Sequence, residues 1–191
     1  DPETTREFVS DIGDEASRLE RITEDLLRLT RLDSGAVDPA VRVEVKPVLE
    51  RASRMLQPVA KERGVTLRCQ AEDAAAVLAT SGDVHQILYN LMENGVKYTP
   101  AGGFVSAAVS VQEGQVVMTV EDNGIGIPPE DMPHIFERFY RVDKARSRQI
   151  GGTGLGLSIV GDTVQRRGGE ITVSTPAAGG TVLTGRFSQA E

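Results

Sequence analysis

The sequence predicts an α+β fold, a two-layer sandwich of helices on a sheet, with one long helix in front of it. Short segments in which apolar and polar residues alternate predict strands, and several of them form hairpins. Longer segments with apolar residues three or four positions apart predict helices. Because hairpins and helices are segregated along the chain, a doubly wound parallel sheet is not expected.

Composition and charge limit the kinds of protein that this chain can be. Its 191 residues suffice for one domain and an appendage, and 39% hydrophobic with 26% charged residues is typical of a globular protein. The net charge of −7 argues against binding a nucleic-acid backbone, which needs clustered Lys and Arg. The single cysteine, Cys69, cannot form an internal disulfide and favours a reducing compartment. No apolar run approaches the ~20 residues that span a bilayer.

Residues 1–36 are expected to form a separate unit, with one long helix over about 1–34 that starts at Asp1-Pro2 and stops at Gly35. Its apolar residues form a narrow seam of two rows seven residues apart: Ile12, Leu19 and Leu26, with Ile22 and Leu29. Such a seam is typical of a helix in a bundle or coiled coil. A helix that lies on the surface of its own domain is the alternative. The length of the seam favours the bundle helix and makes self-association plausible.

Residues 41–188 are expected to form the sandwich. In order, we expect a strand at 41–45, a helix from Pro47 to about 63, strands at 65–69 and 76–79, a helix at 81–98, a hairpin of 104–111 and 116–121, a helix at 156–167, and strands near Ile171 and Val182. Pro58 should disturb the first of these helices, and Ser81-Gly82-Asp83 should cap the second. Two short helical pieces are expected near Pro129 and Pro133.

The helix at 81–98 is the first of four segments with residues of chemical interest. Asn90 and Asn94 are four residues apart, so both amides project from one helical face. Two such oxygen donors can help to hold a hard cation such as Mg²⁺, whose remaining ligands are water and phosphate oxygens. Lys97, one turn further on, can meet a phosphate as a point charge. The alternative is an asparagine pair on a solvated helix face.

The second segment is Asp122-Asn123-Gly124-Ile125-Gly126-Ile127-Pro128, which directly follows a predicted strand. Asn-Gly is also a strong hairpin signal, so a simple turn is the alternative. A turn needs no second glycine, and Gly124 with Gly126 suggests a backbone that lies close against something. The carboxylate of Asp122 can accept a hydrogen bond from an amino group, such as that of adenine.

The third and fourth segments are aromatic and glycine-rich. Residues 135–141 hold three of the chain's eight aromatic residues, together with Arg138 and Arg141, and a small satellite core under a loop is an equally good interpretation. Residues 151–157, Gly-Gly-Thr-Gly-Leu-Gly-Leu, run into a predicted helix whose N-terminus would favour an anion. No strand precedes them and no Lys-Ser/Thr follows, which excludes the Rossmann and Walker motifs. A flexible linker is the alternative.

In this order and spacing the four segments resemble the N, first G, F and second G boxes of the GHKL ATPase superfamily in its histidine kinase version. The matching strings are NLMENGVKYTP, DNGIGIP, IFERFYRVD and GGTGLGL, and the resemblance covers about residues 41–188. The leading helix, with LERITEDLLRLTRLDSG, resembles the second helix of the dimerisation and phosphoacceptor hairpin of sensor histidine kinases. The resemblance implies the Bergerat ATP-binding fold, in which helices cover one face of a mixed, mostly antiparallel sheet.

The same resemblance implies a role for individual residues. Asn90 and Asn94 are expected to face Mg²⁺, and Asn90 and Lys97 to act in catalysis. Asp122 is expected to read the adenine amine. Residues from about 141 to 156 are expected to form a mobile ATP lid, and Arg138 or Arg141 to reach the γ-phosphate or a partner. The expected ATP-binding residues are Asn90, Asn94, Lys97, Tyr98, Asp122, Gly124, Gly126, Ile127, Arg138, Gly152, Thr153, Gly154, Leu155, Gly156 and Thr181.

A finer comparison separates a kinase from an ATPase. In the related chaperone and topoisomerase ATPases, a glutamate four residues before the Mg²⁺-binding asparagine activates water, and here Asn90 occupies that position. Glu93 precedes Asn94 directly and so points about 100° away from it on a helix. The helix therefore lacks a general base at the expected place, which favours phosphoryl transfer to an imidazole.

Partners and location also follow from the resemblance. Neither His85 nor His134 fits the acceptor motif, so the phosphorylated histidine is expected upstream of Asp1, and this chain is expected to bind ATP without phosphorylating itself. The implied partners are the phosphoacceptor hairpin of a kinase homodimer and the receiver domain of a response regulator. The chain does not begin with Met, which favours a piece of a longer protein. That protein is expected to be membrane-anchored, with this domain in the cytoplasm.

Overall fold

A computed structural model gives the structure of residues 2–34, 38–142 and 152–191. The expected helix start at Asp1 and stop at Gly35 lie outside these residues. The helices are α1 (Pro2–Asp33), α2 (Val45–Glu62), α3 (Ser81–Tyr98) and α4 (Gly156–Arg166), and a 3-10 helix spans Met132–His134. The strands are β1 (Val41–Glu44), β2 (Thr66–Ala71), β3 (Ala76–Ala79), β4 (Phe104–Gln112), β5 (Gln115–Asp122), β6 (Glu170–Ser174) and β7 (Thr181–Ser188).

Five of the strands form the main sheet, in the order β2-β4-β5-β7-β6. β2 runs parallel to β4, and the other neighbours in the sheet are antiparallel. This mixed, mostly antiparallel sheet confirms the predicted α+β class. β1 and β3 form a separate antiparallel pair, which the sequence did not predict because a four-residue strand carries no signal for its partner.

The main core lies between the helices and this sheet. α2 packs on β2 and on α3, whereas α3 also packs on β4, β5 and α4. Apolar residues three or four apart supply the helical side of this core, and alternate residues of the strands supply the other side. Its largest fully buried side chains include Leu56, Ile87, Leu91 and Met118. Full burial of one such side chain stabilises the fold by about 1.5–3 kcal/mol, and the core fixes the position of α3.

Local signals set the element ends, and some differ from prediction by a few residues. α3 is capped by Thr80 rather than by Ser81: the Thr80 hydroxyl accepts from Asp83 N (3.0 Å), and the Asp83 carboxylate accepts from Thr80 N (3.3 Å). α2 begins at Val45, before Pro47, and continues through the exposed Pro58. Near Pro129 the chain makes a turn rather than a short helix, because Asp131 N and Met132 N donate to the same carbonyl of Pro128.

α1 contacts the sandwich near its C-terminal end. Leu29 is 4% exposed and forms a second, small apolar cluster with Leu155 and Ile159. The seam residues Ile12 and Leu19 are each 56% exposed. α1 therefore combines the two predicted alternatives: one end lies on the domain, and the rest presents an exposed apolar seam. Among the described residues, no helix has both the length and the apolar character needed to cross a bilayer.

Candidate functional site

α3 presents its polar residues on the side that does not pack into the core. Val84, Ile87, Leu88 and Leu91 are buried on one face, which directs Asn90 and Asn94 toward a cleft. The Asn90 amide Nδ2 donates to the carbonyl oxygen of Gly156 at 3.2 Å, so α3 is tied to the start of α4. The ammonium of Lys97 lies 3.1 Å from the carboxylate of Glu93, one turn before it.

Asp122 ends β5 and is held by main-chain donors. Its Oδ1 accepts from Gly124 N at 2.8 Å, and the backbone N–H of Thr181 donates to the same carboxylate. Thr181 lies opposite Asp122 in the β5–β7 ladder, which explains this second bond. Asp122 is 8% exposed, and this burial raises the pKa of its carboxyl, although the two N–H donors act in the opposite direction.

The glycines after Asp122 fit against the protein's own backbone. A Cβ on Gly124 would lie 2.5 Å from the carbonyl oxygen of Tyr98, and a Cβ on Gly180 would lie 1.9 Å from that of Asp122. Gly126 adopts a φ of +72°, which favours glycine. The sequence correctly predicted a close approach of backbone here. At Gly124 and Gly180 the approaching group belongs to the protein.

The aromatic segment joins the glycine-rich segment through its backbone. Phe139 adopts a φ of +64°, and its N–H donates to the carbonyl oxygen of Gly154 at 2.9 Å. The guanidinium of Arg138 bonds the carboxylate of Asp162 on α4 at 3.1 Å. Arg141 instead lines the cleft. The two arginines therefore lie in different places, a distinction that the sequence left open.

The glycine-rich segment, described from Gly152 onward, leads into α4. The Thr153 hydroxyl accepts from Leu155 N at 3.2 Å and donates to the carboxylate of Asp25 on α1 at 3.0 Å. Leu155 is fully buried against Leu29 and Ile159, so it supports the segment from below. Most of the segment expected to form a mobile lid, residues 143–151, lies outside the described residues.

One cleft of about 650 Å³ brings most of the predicted residues together. Those that line it are Asn90, Asn94, Lys97, Tyr98, Asp122, Gly126, Ile127, Gly152, Thr153, Gly154 and Gly156. Four predicted residues do not line it: Gly124, Arg138, Leu155 and Thr181. Gly124 and Thr181 donate their backbone N–H groups to the Asp122 carboxylate. Leu155 packs in the small apolar cluster under the glycine-rich segment, and Arg138 is bonded to Asp162 of α4.

The sequence did not predict the portion of the lining that comes from α1 and from the start of α3. Glu24, Asp25 and Arg28 reach the cleft from α1. His85 also lines it and stacks on Tyr89, with ring centroids 5.6 Å apart. Burial lowers the pKa of His85, and the positive charges of Arg51 and Arg28 act in the same direction. His85 therefore stays neutral more readily than an ordinary histidine.

Oxygen donors suit this cleft to a hard cation only if phosphate completes the site. Asn90 commits its Nδ2 to Gly156, so its remaining polar atom is an amide oxygen, the ligand type that Mg²⁺ takes. Within residues 2–34, 38–142 and 152–191, no three His, Cys, Asp or Glu side chains form a cluster that could hold a metal alone. Amide oxygens with water and phosphate fit the sparse protein ligation typical of Mg²⁺.

Comparison with known proteins gives relatives over nearly the whole chain. A sensor histidine kinase of Bacillus subtilis, YkoH, is 34% identical over 98% of this chain and 40% of its own length. WalK of the same organism is 36% identical over 93% of this chain and 30% of its own length. SenX3 of Mycolicibacterium smegmatis is 35% identical over 95% of this chain and 48% of its own length. The chain thus spans less than half of these relatives.

Solved structures of histidine kinases share the fold. Full-length ShkA, crystallised in complex with AMPPNP, superposes with a TM-score of 0.81 at 28% identity, over 97% of this chain and 39% of that one. The mycobacterial sensor histidine kinase MprB superposes with a TM-score of 0.66 at 27% identity, over 78% of this chain and 97% of that one. The model of the histidine kinase-, DNA gyrase B- and HSP90-like ATPases matches residues 79–191, which hold Asn90, Asp122 and the glycine-rich segment. With that match over more than half its length, the chain belongs to the family of histidine kinase-, DNA gyrase B- and HSP90-like ATPases.

Proposed function

We propose that the cleft binds ATP with its adenine at Asp122 and its phosphates between α3 and the start of α4. The observation that carries this is the joint presence, in one cleft of about 650 Å³, of a buried carboxylate and a group of amide, ammonium and hydroxyl donors. Asp122 accepts from the exocyclic amine of adenine. The N-terminus of α4, reached through Gly152 and Gly154, favours the negative charge of the phosphates.

The magnesium of the ATP complex would be held by the amide oxygens of Asn90 and Asn94, together with water and phosphate. It would supply charge neutralisation at the phosphates during transfer. Lys97 supports the same end, since its ammonium lies in the cleft beside Glu93 and can turn to a phosphate oxygen. Of the two arginines, we assign the phosphate contact to Arg141, because Arg141 lines the cleft and Arg138 is bonded to Asp162.

The proposed reaction is transfer of the γ-phosphoryl group to a histidine of a kinase dimerisation hairpin, and from there to an aspartate of a response regulator. The relatives named sensor histidine kinases support this assignment. The chemistry of α3 also favours a kinase over an ATPase. Position 90 carries an amide, which cannot take a proton from water, and Glu93 is bonded to Lys97. The phosphoacceptor hairpin that carries the acceptor histidine and the receiver domain of a response regulator are thus the proposed partners, in a homodimeric, membrane-anchored parent protein.

Two measurements test this function. Titration calorimetry with a non-hydrolysable ATP analogue and Mg²⁺ should give one site per chain, and absence of binding would refute the proposal. Incubation with labelled ATP should leave this chain unlabelled and should label a separately added hairpin that carries the acceptor histidine. Stable label on this chain, or steady ATP hydrolysis that is lost in Asn90→Ala, would contradict the kinase assignment.

A further inference from the structure

The phosphate end of the cleft is occupied by bonds within the protein. The Asn90 amide donates to the Gly156 carbonyl at 3.2 Å. The Lys97 ammonium pairs with Glu93 at 3.1 Å, and the Thr153 hydroxyl donates to Asp25 at 3.0 Å. Three donors that face the cleft therefore each have an acceptor oxygen from the protein. Lys97 has three donor hydrogens and the Asn90 amide has two, so both can bond a phosphate in addition, whereas the Thr153 hydroxyl has one, and a phosphate that takes it replaces Asp25.

The acceptor of Thr153 differs from the other two because it comes from α1. Gly156 and Glu93 belong to the helices of the sandwich, whereas Asp25 lies on the leading helix, 128 residues before Thr153 in the chain. A carboxylate is an anion with acceptor oxygens, so Asp25 presents to Thr153 the same chemistry that a phosphate would present. Glu24 and Arg28 of the same helix also line the cleft.

α1 also makes an apolar contact with the domain, four residues beyond Asp25. Leu29, 4% exposed, packs on Leu155 and Ile159 of the glycine-rich segment and α4. Leu29 does not line the cleft. Because of their spacing, Asp25 and Leu29 lie on one face of α1 and act together. The Asp25 carboxylate occupies the Thr153 hydroxyl at the phosphate end, and the apolar contact of Leu29 holds the helix in place.

The charges near Asp25 oppose a phosphate bound beside this contact. Burial raises the pKa of the Asp25 carboxyl, and the negative charge of Glu93 raises it further. The hydrogen bond from Thr153 and the positive charges of Arg28 and Lys97 act in the opposite direction. Glu93 and Lys97 are thus within electrostatic range of Asp25. A polyphosphate placed beside Lys97 would bring further negative charge to a partly desolvated carboxylate, where repulsion is screened less than in water.

We propose that α1, docked through Asp25 and Leu29, competes with the nucleotide phosphates for the phosphate end of the cleft, so that nucleotide binding and docking of this helix oppose each other. This inference rests on the proposed ATP site. Because coupling of this kind is reciprocal, bound nucleotide weakens docking of the helix by the same factor by which docking weakens nucleotide binding. The adenine end lies outside the competition, since its contacts are made by Asp122 and its backbone donors.

The test measures the affinity of the full chain for two ligands, adenosine and a non-hydrolysable ATP analogue with Mg²⁺. Asp25→Ala removes the competing anion, and we expect the ATP analogue to bind about tenfold more tightly, the range expected for one charged hydrogen bond. Leu29→Ala removes the apolar anchor and should also tighten binding, although this side chain cannot touch the ligand. Adenosine, which has no phosphate, should bind all variants alike.

A matched control is Glu20→Ala, which removes one carboxylate from the exposed surface of the same helix and should leave both affinities as in the parent chain. The inference is overturned if Asp25→Ala and Leu29→Ala bind the ATP analogue no more tightly than the parent. It is also overturned if Asp25→Ala weakens binding, since Asp25 would then assist the ligand. A parent chain that binds neither ligand would refute the ATP site itself, which distinguishes the two failures.

Discussion

The two ends of the cleft are built from different regions of the polypeptide. At the adenine end, main-chain groups hold the functional side chain: the N–H of Gly124, at 2.8 Å, and the N–H of Thr181 both donate to Asp122. Both donors are fixed by the β5–β7 ladder and the turn that follows it. Strands in the middle of a sheet are among the last elements of a protein to open. This end is therefore rigid before any ligand arrives.

At the phosphate end, the functional groups are side chains with exchangeable partners. Asn90, Lys97 and Thr153 are each bonded to another group of the protein, and one of these partners lies on α1. A side chain can change its partner by rotation about a few bonds, which costs far less than moving a strand. Ligand binding at this end can therefore exchange an internal bond, that of Thr153 to Asp25, for a bond to the ligand.

In the proposed ATP site, this difference between the two ends would separate recognition of the base from recognition of the phosphates. A change at the adenine end should alter the affinity of every adenine ligand by the same factor. A change at the phosphate end should alter only the affinity of ligands that carry phosphates. Adenosine and an ATP analogue, measured side by side, can therefore assign each residue to one end.

The largest effect is expected for Asp122→Asn. The substitution places an amide donor where the adenine amine needs an acceptor, and it also opposes a backbone N–H that now donates to the carboxylate. Affinity for adenosine and for the ATP analogue should fall together, by roughly a hundredfold, in titration calorimetry. Asp73→Asn is the matched control, since Asp73 is 88% exposed and pairs only with Lys46 among the partners described for it. If Asp122→Asn binds both ligands as tightly as the parent chain, the proposed adenine site is refuted.

Lys97→Met should give a smaller and more selective effect. The change keeps the apolar stem, removes the charge, and leaves Glu93 without its 3.1 Å partner beside the phosphates. Affinity for the ATP analogue should fall roughly tenfold, as expected for the loss of one charged contact, and affinity for adenosine should not change. Lys46→Met, on the surface, is the control. An equal loss for both ligands would mean that Lys97 acts on the structure of α3 rather than on phosphate.

The pH dependence of adenosine binding should sharpen the assignment of Asp122. Burial raises the pKa of this carboxyl, so protonation begins at a higher pH than for an ordinary aspartate. The protonated form offers one acceptor fewer, and affinity should therefore fall as the pH is lowered from neutral into the mildly acidic range. The Asp122→Asn variant, which cannot titrate at this position, should show a flat profile over the same range. Identical slopes in the two proteins would exclude Asp122 as the titrating group.

Local signals in the sequence were sufficient for most of the helices and strands and for the cleft residues of α3, the end of β5 and the glycine-rich segment. Asn90, Lys97 and Asp122 were recognisable because each stands at a fixed spacing from a helix turn, a strand end or a glycine. The predicted cap of α3, Ser81-Gly82-Asp83, included Asp83 correctly but missed Thr80, because Thr and Ser both cap well and only the observed hydrogen bonds distinguish them.

Contacts between distant segments could not be predicted from the sequence. The bond between Asp25 and Thr153 joins positions 128 residues apart, and no motif marks Asp25 among the acidic residues of α1. The assignment of Arg141 to the cleft likewise depends on Asp162 of α4, which bonds Arg138. Gly124 was predicted to approach a ligand, yet its missing side chain leaves room for the Tyr98 carbonyl, which no local pattern indicates.

Arg167→Met should change the affinity for neither adenosine nor the ATP analogue. It tests instead whether ligand binding in the cleft depends on the overall stability of the domain. The side chain of Arg167 is 6% exposed, and its guanidinium bonds Asp83 at 2.6 Å and the carbonyl oxygen of Asp38 at 3.1 Å. Because Asp83 also belongs to the cap of α3, one side chain joins the end of α4, the start of α3 and the chain that leads into β1.

Loss of this partner leaves the Asp83 carboxylate with only the Thr80 N–H as a donor in the cap, which should lower the free energy of unfolding by about 2 kcal/mol. The measurement is a denaturant melt of each variant, with Arg42→Met as the control, because the pair that Arg42 makes with Glu44 is exposed and should contribute less than about 1 kcal/mol. Both affinities should equal those of the parent at low denaturant, since Asn90, Lys97 and Asp122 lie away from the Arg167 contacts. A variant that melts like the parent but binds adenosine poorly would show that the adenine end is less rigid than its backbone contacts indicate.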